Sequence, residues 1–349
     1  MDVVRAGEVK IGPGHPCFLV AEVGINHNGD LGLAHRSIDA AADAGADAVK
    51  FQNYRTEDFI ADRSLPYEYV SAGRKVVESQ YEMFRRCELS PDSLAELKRH
   101  CDERGVTFFS TPSSEDGVQT LVDLGVKLLK NGSDFLVHLP LVRAMARSGV
   151  ATVLSTGMAT AGEIDDAVSA FREAGGSELV LLHCTSSYPT PAADVHLRKI
   201  PALSAVFGCT VGLSYHTEGT TAALGAVALG ASFLEKHFTV DRSLPGPDHR
   251  FSSDPAEFKQ LEEAVRYLEE SMGSSVIGPT PSEKAGRHDF RLSCVAAGDL
   301  PAGHRLGKND IKFARPGTGL APKGAQWLLG RTLAREVATG HPIEPSDLS

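Results

Sequence analysis

Eight short apolar runs, each followed by a longer stretch of helical periodicity, occupy the chain from residue 18 to about residue 272. The runs are FLVAEVGIN from Phe18, DAVKFQ from Asp47, TFFST from Thr107 and KLLKNGS from Lys127, then VATVLSTG from Val150, ELVLLHCT from Glu178, CTVGLS from Cys209 and SFLEKHF from Ser232. Stretches such as LGLAHRSIDAAADAG lie between them, with apolar positions at helical spacing and Gly45 where the helix should stop. Eight strand–helix alternations favour a closed parallel barrel over an open sheet. With 349 residues the chain exceeds the ~250 typical of such a barrel, so it must carry an appendage.

The interval from Tyr54 to Pro91 reads as an extended loop after the second strand, with a short helix around Ser79–Cys87. A helix from about Asp254 to Met272 closes the eighth repeat. Residues 274–290 are then rich in Gly, Pro and Ser and read as a linker. From Arg291 onward come short β-like pieces separated by Gly/Pro turns. The expected organisation is therefore α/β: a (β/α)8 barrel over 1–273, a linker over 274–290 and a small β-rich domain over 291–349.

Composition narrows the function classes. No apolar run approaches the ~20 residues that span a bilayer, and no apolar leader opens the chain. The six cysteines form no C-x-x-C pair and no disulfide-framework spacing, so reduced thiols in a cytoplasm are expected. A formal net charge of -10 argues against broad nucleic-acid binding. An acidic protein still binds an anion where basic groups converge in one pocket.

In barrels of this kind the active site lies at the C-terminal ends of the strands. Here nearly every strand ends in polar residues. The first carries Glu22, the second Lys50 and Gln52, the third Thr111, and the fourth Lys130, Ser133 and Asp134. The fifth carries Ser155, the sixth Ser186 and Tyr188, the seventh Ser214 and His216, and the eighth Glu235, Lys236 and His237. An unpaired ammonium at the end of an apolar strand is costly. Two of them, flanked by Thr111, Ser133, Ser155 and Ser214, point to a phosphate or carboxylate pocket rather than to lysines snorkelling into water. His216 and His237 close neighbouring strands and would meet across the rim. Spacing alone serves a shared divalent metal and two separate structural histidines equally well. Asn26–Gly29 and Arg315–Gly319 are Gly-containing turns without nucleotide-binding spacing.

The stretches AEVGINHNGD, AVKFQ, STPSSEDG, LKNGSD, VLSTGMAT, LHCTSSYPTP, VGLSYHTEG, LEKHFTVDRSLPGPDHRFSSDP and RPGTGLAP, in that order, resemble the sialic acid synthases across almost the whole chain. Members of that family make N-acetylneuraminate, legionaminate or pseudaminate. They carry an antifreeze-like (SAF) domain after the barrel, which the tail resembles. The resemblance implies condensation of phosphoenolpyruvate with an aldose acceptor, giving a 3-deoxy-2-keto sugar acid and phosphate by C–O cleavage. It places the metal ligands at His216 and His237, for Mn²⁺ with Mg²⁺ or Co²⁺ as alternatives. It places phosphoenolpyruvate contacts at Lys50, Thr111, Lys130, Ser133, Ser155, Ser186 and Ser214, and sugar contacts at Gln52, Tyr188 and Asp248. Glu22 and Glu235 match carboxylates near the metal, and Asp134 matches a carboxylate that stabilises the cation or handles protons. Arg315 matches an arginine delivered to the partner's barrel, which implies a domain-swapped homodimer.

Some positions depart from the family pattern. Phe135–Leu136–Val137–His138 replaces amide and hydroxyl side chains, Tyr215 an acid, and His196 an asparagine, while Asp134 is one methylene shorter than the glutamate of several members. The expectation is an unusual acceptor, with N-acetylmannosamine a poor one. Two other readings are a Schiff-base aldolase using Lys50, Lys130 or Lys236, and a non-catalytic binding protein.

Overall fold

The computed structural model describes residues 3–71 and 73–349. They form two compact units, divided between Gly273 and Ser274. In the first unit eight parallel strands close into a barrel: β1 (Phe18–Gly24), β2 (Ala48–Asn53), β3 (Thr107–Pro112), β4 (Leu128–Asn131), β5 (Ala151–Ser155), β6 (Leu179–Cys184), β7 (Thr210–Tyr215) and β8 (Phe233–His237). Neighbours in sequence are neighbours in space, and β8 pairs back onto β1, with Phe233 opposite Phe18 and His237 opposite Glu22.

Strand alternation sorts the side chains into two cores. Leu19, Ala21 and Val23 of β1, like Val49, Phe51, Leu129 and Leu181, face outward into the layer shared with the helices. Phe18, Val20, Ala48, Phe109, Leu128, Val153, Leu182 and Phe233 face inward and fill the lower half of the barrel. A short N-terminal hairpin of Val4–Ala6 and Val9–Ile11 contributes Val4, Ala6 and Ile11 to that inner core. The alternation did not anticipate this hairpin, because three-residue strands carry too little pattern. Continuing inward by twos from the apolar layer gives Glu22, Lys50, Lys130, Ser155, Ser214 and Glu235. One face of each strand thus changes from oil to charge within a single turn of pleat. Between Glu22 and Gly24 the β1–β2 register shifts and Gly24 takes φ 54. Such a bulge re-aims the end of a strand.

The helices follow ordinary capping chemistry. Asp30 caps α1 (Leu31–Asp43), which buries Leu33, Ala34, Ile38 and Ala41. Thr160 and Glu163 form a reciprocal capping box on the helix Ala161–Glu173. Asp254 precedes Pro255 at the start of the helix Pro255–Met272. The expected short helix after the second strand is present as Gln80–Arg85. The same excursion also holds an antiparallel hairpin, Pro66–Ser71 with Arg74–Ser79, which was read only as loop. No helix among the described residues is long and apolar enough to cross a membrane.

In the second unit Ser293–Ala296 pairs antiparallel with Ile311–Ala314. A small core of Cys294, Ala296, Leu300, Leu306, Leu328, Leu333, Val337 and Ile343 holds it together. Asp347, fully buried, ties its end down by accepting from Arg335 Nε at 2.6 Å and the Glu344 amide at 2.8 Å, with His341 Nε2 at 3.0 Å. The segment expected as plain linker contains a helical turn, Lys284–Asp289.

Gly212 sits at an inward position of β7 where the barrel has no spare volume. A Cβ there would lie 2.5 Å from the Phe233 carbonyl oxygen and 2.6 Å from Leu182 Cδ2. Gly212→Ala should destabilise the protein by about 1–3 kcal/mol through overpacking. The check is urea unfolding; an unchanged midpoint would show that the strands part to admit a methyl group.

Candidate active site

Above the inner apolar layer, the C-terminal rim encloses a cavity of about 590 Å³. Its floor is an ion-pair cluster. Lys50 and Lys130 are each only 3% exposed. Lys50 Nζ lies 2.6 Å from Glu22 Oε2, near enough for an ion pair but misaligned for a hydrogen bond, and it donates to Thr111 Oγ1 at 3.1 Å. Lys130 Nζ donates to Glu235 Oε1 at 3.1 Å, and Ser214 Oγ donates to the same oxygen at 3.0 Å. Gln52 reaches Glu22 Oε1 at 3.3 Å.

The two carboxylates are unequal. Burial pushes Glu22 up to about 7 despite the opposing pull of Lys50. Burial also acts on Glu235, but Lys130 and Lys50 outweigh it and hold that carboxyl below its usual range. Burial alone would lower Lys50, yet the facing carboxylates carry it above the ordinary lysine value. The Lys50 ammonium therefore stays charged. Ser155 Oγ, also buried against the cavity, has no hydrogen-bond partner among the described residues. Two fixed cations, one weakly held carboxylate and a spare hydroxyl are what an incoming anion needs.

His216 and His237 meet on one side of this floor, with ring centroids 5.4 Å apart. The Thr185 carbonyl oxygen lies 2.9 Å from His216 Nδ1. A carbonyl only accepts, so Nδ1 carries the proton and Nε2 keeps its lone pair. His237 Nδ1 is buried, without a hydrogen-bond partner among the described residues, 3.7 Å from Asp248 Oδ2. Burial pushes His216 down to about 4 and His237 well below its ordinary value. Burial likewise raises the Asp248 carboxyl to about 7. Two neutral imidazoles beside an uncompensated carboxyl fit a divalent cation, whose charge would relieve the desolvated acid. Among the described residues no three His, Cys, Asp or Glu side chains converge on one point. The histidines would thus supply two nitrogen ligands and leave the remaining positions to substrate or water.

Every barrel residue expected at the site lines this cavity: Glu22, Lys50, Gln52, Thr111, Lys130, Ser133, Asp134, Ser155, Ser186, Tyr188, Ser214, His216, Glu235, His237 and Asp248. Ser133 Oγ accepts from the Gly157 amide at 3.0 Å. Tyr188, half exposed at the mouth, packs on His216 with ring centroids 4.2 Å apart. Arg315 belongs to the second unit, where its Nε donates to the Phe290 carbonyl at 3.1 Å and its guanidinium lies over the Phe290 ring. It has no acidic partner among the described residues.

The departures from the family pattern fall mostly outside the cavity. Only Phe135 of its segment lines it. Leu136 is buried in the outer core, Val137 points to solvent, and His138 Nδ1 accepts from the Leu141 amide as a helix cap. Tyr215 faces outward beneath the ring of helices and covers Lys236 Nζ, which lies 4.7 Å from its ring centroid and donates to the Thr217 carbonyl at 2.6 Å. The acid-to-phenol change therefore lies behind the barrel wall, and Lys236 is no pocket lysine. His196 is exposed with φ 47, a left-handed conformation in which Asn and His are both enriched. That exchange is a matter of backbone geometry.

Three features escaped the sequence reading. The Thr185 carbonyl fixes the His216 tautomer, and no side-chain pattern announces a backbone oxygen. Asn26 holds the two loops of the site together, donating to the Phe238 carbonyl at 2.8 Å and to Ser252 Oγ at 2.9 Å. Ile25, Tyr54, Phe59, Met83 and Phe84 line one side of the cavity from the loop after β1 and from the excursion after β2 with its short helices. The density of aromatics between Tyr54 and Phe84 was the one signal available for them.

Comparison with known proteins identifies the family. The chain is 38% identical to N,N'-diacetyllegionaminic acid synthase of Legionella pneumophila, over 93% of this chain and 92% of the relative. It is 33% identical to a pseudaminic acid synthase of Campylobacter jejuni, over 95% and 96% respectively. The crystal structure of N-acetylneuraminic acid synthetase from Leptospira borgpetersenii, in complex with citrate, superposes with a TM-score of 0.74 at 35% identity, covering 82% of this chain and 95% of that one. Residues 293–349 match the SAF domain, residues 37–277 match the NeuB family, and the chain belongs to that family.

Proposed function

We propose that this protein is a synthase that condenses phosphoenolpyruvate with an open-chain aldose to form a 3-deoxy-2-keto sugar acid. The observation that carries the reading is the cavity floor: two buried lysines and an unpartnered Ser155 hydroxyl stand beside two neutral histidines in one enclosure. The names of the relatives support a sugar-acid product. Lys50 and Lys130 hold the phosphate and carboxylate of phosphoenolpyruvate, with Thr111, Ser133, Ser155, Ser186 and Ser214 as neutral donors around it. Gln52, Tyr188 and Asp248 face the acceptor. A divalent metal, Mn²⁺ before Mg²⁺ or Co²⁺, held by His216 and His237 would act as a Lewis acid on the acceptor's aldehyde oxygen.

C3 of phosphoenolpyruvate forms the new bond to the aldehyde carbon, and water adds at C2. Phosphate then leaves with the bridging oxygen. Glu22, raised to about 7, is placed to exchange a proton near neutrality, and Asp134 faces the same space. Lysines ion-paired with buried carboxylates are poor nucleophiles, which disfavours the Schiff-base alternative.

Phosphoenolpyruvate carrying ¹⁸O in its C–O–P bridge should release labelled phosphate when turned over with an aldose. Label retained in the sugar acid would mean P–O cleavage and a different reaction. Mn²⁺ should bind the wild-type protein and not the His216→Ala/His237→Ala double variant, as read by electron paramagnetic resonance. Equal binding by both would place the ion elsewhere.

The Arg315 guanidinium, without an acidic partner among the described residues, is proposed to serve the cavity of a second subunit in a domain-swapped homodimer, where a planar fork pairs bidentately with an anionic or hydroxyl-rich substrate. Mixing Arg315→Ala subunits with Lys130→Ala subunits should then restore activity in the heterodimers. No restoration in confirmed heterodimers would confine Arg315 to its own chain.

A further inference from the structure

Lys236 lies between Glu235 and His237 on β8, yet it does not line the cavity that both of its neighbours line. Its side chain runs behind the barrel wall and is buried there, as is Tyr215, its direct opposite on β7. The ammonium lies over the Tyr215 ring and donates to the Thr217 carbonyl at 2.6 Å. No carboxylate pairs with it among the described residues. Glu257, the acid whose charge acts on it most, is itself paired with Arg242. A buried ammonium without a counterion is costly. Here a ring face and one backbone oxygen offset that cost.

That oxygen belongs to the turn that carries His216. The β7–β8 ladder ends at the Tyr215–Lys236 pair, and His216 is the next residue, beyond the reach of the sheet. Three contacts hold the chain from there. The Thr190 amide donates to the His216 carbonyl at 3.1 Å, and the Thr185 carbonyl faces the His216 ring at Nδ1. Both come from the segment after β6. The third contact, from Lys236 to Thr217, ties the same turn to β8, the strand that ends in His237. Two imidazoles can share an ion only while both free nitrogens stay aimed at one point, so a contact that couples their two backbones governs the pair.

We propose that Lys236, sheathed by Tyr215, is a positioning residue that fixes His216 relative to His237 through the Thr217 carbonyl. The inference rests on reading the two histidines as ligands of a divalent cation. Tyr215, where the resemblance places an acid, suits this role. A carboxylate facing Lys236 would compete with the Thr217 carbonyl for the ammonium's protons. A ring face attracts the cation and leaves that hydrogen bond in place.

Mn²⁺ affinity at pH 7, read by electron paramagnetic resonance, tests the role beside thermal unfolding of the metal-free protein. Lys236→Met keeps the length of the side chain and removes the donor; it should weaken Mn²⁺ binding by about tenfold or more. Tyr215→Phe should bind as the wild type does, and Tyr215→Leu, which removes the ring face, should bind several-fold more weakly. Phosphoenolpyruvate affinity, read by calorimetry, should be unchanged in all three variants, because none alters the cavity floor. If Lys236→Met does not fold, the Tyr215 pair decides alone. Wild-type Mn²⁺ affinity in Lys236→Met and Tyr215→Leu, even with a lowered unfolding temperature, would overturn the inference and leave the cation site standing. A matching loss of phosphoenolpyruvate affinity would mean a general loosening of the barrel and would also overturn it. No Mn²⁺ binding by the wild type would overturn the reading of the histidines along with the inference.

Discussion

The ion-pair cluster of Lys50, Glu22, Lys130 and Glu235 is the constraint around which the barrel is arranged. Four charged groups are withdrawn from water at the point where an ordinary barrel would place another apolar layer. Isolated charges there would be prohibitively desolvated. The cluster persists because each charge has an opposite partner within reach and because Thr111, Ser214 and Gln52 supply hydrogen bonds. Removing one member of such a set typically costs ~3–5 kcal/mol, since it leaves its partner buried and unpaired. An arrangement that expensive to keep neutral inside is suited to exchanging an internal counterion for a substrate anion.

The rest of the site follows from holding that floor still. The apolar layer below it excludes water and fixes the strand register. The bulge at Glu22 and Gly24 turns one carboxylate toward Lys50. Asn26 then fastens the loop after β1 to the loop after β8, which carries Asp248 to His237. The Thr185 carbonyl sets the tautomer of His216 from the neighbouring strand end. Such supporting contacts orient a functional shell without touching substrate.

The aromatic side of the cavity is built on different terms. Its residues come from loops and short helices, and aromatic edge-to-face contacts rather than ion pairs hold them together. Nothing in the floor dictates what that wall must be. A loop-built surface can therefore vary in sequence without disturbing a charged centre anchored on strands.

The barrel, its polar rim and most of the side chains lining the cavity can be read directly from the sequence pattern. Strand alternation has period two, so a residue's distance from an inward apolar neighbour decides which way it points; Lys50 two after Ala48 and Ser214 two after Gly212 were legible on that ground. The same rule shows why Tyr215, one residue past Ser214, turns away from the cavity and packs on Lys236 instead. Only the tertiary structure decided which of the four residues from Phe135 to His138 meets the cavity, because a turn has no fixed period to read. It also decided that the aromatics between Tyr54 and Phe84 converge beside Asp248. Their positions depend on how a long excursion folds back over the rim, and long-range packing, not local spacing, sets that.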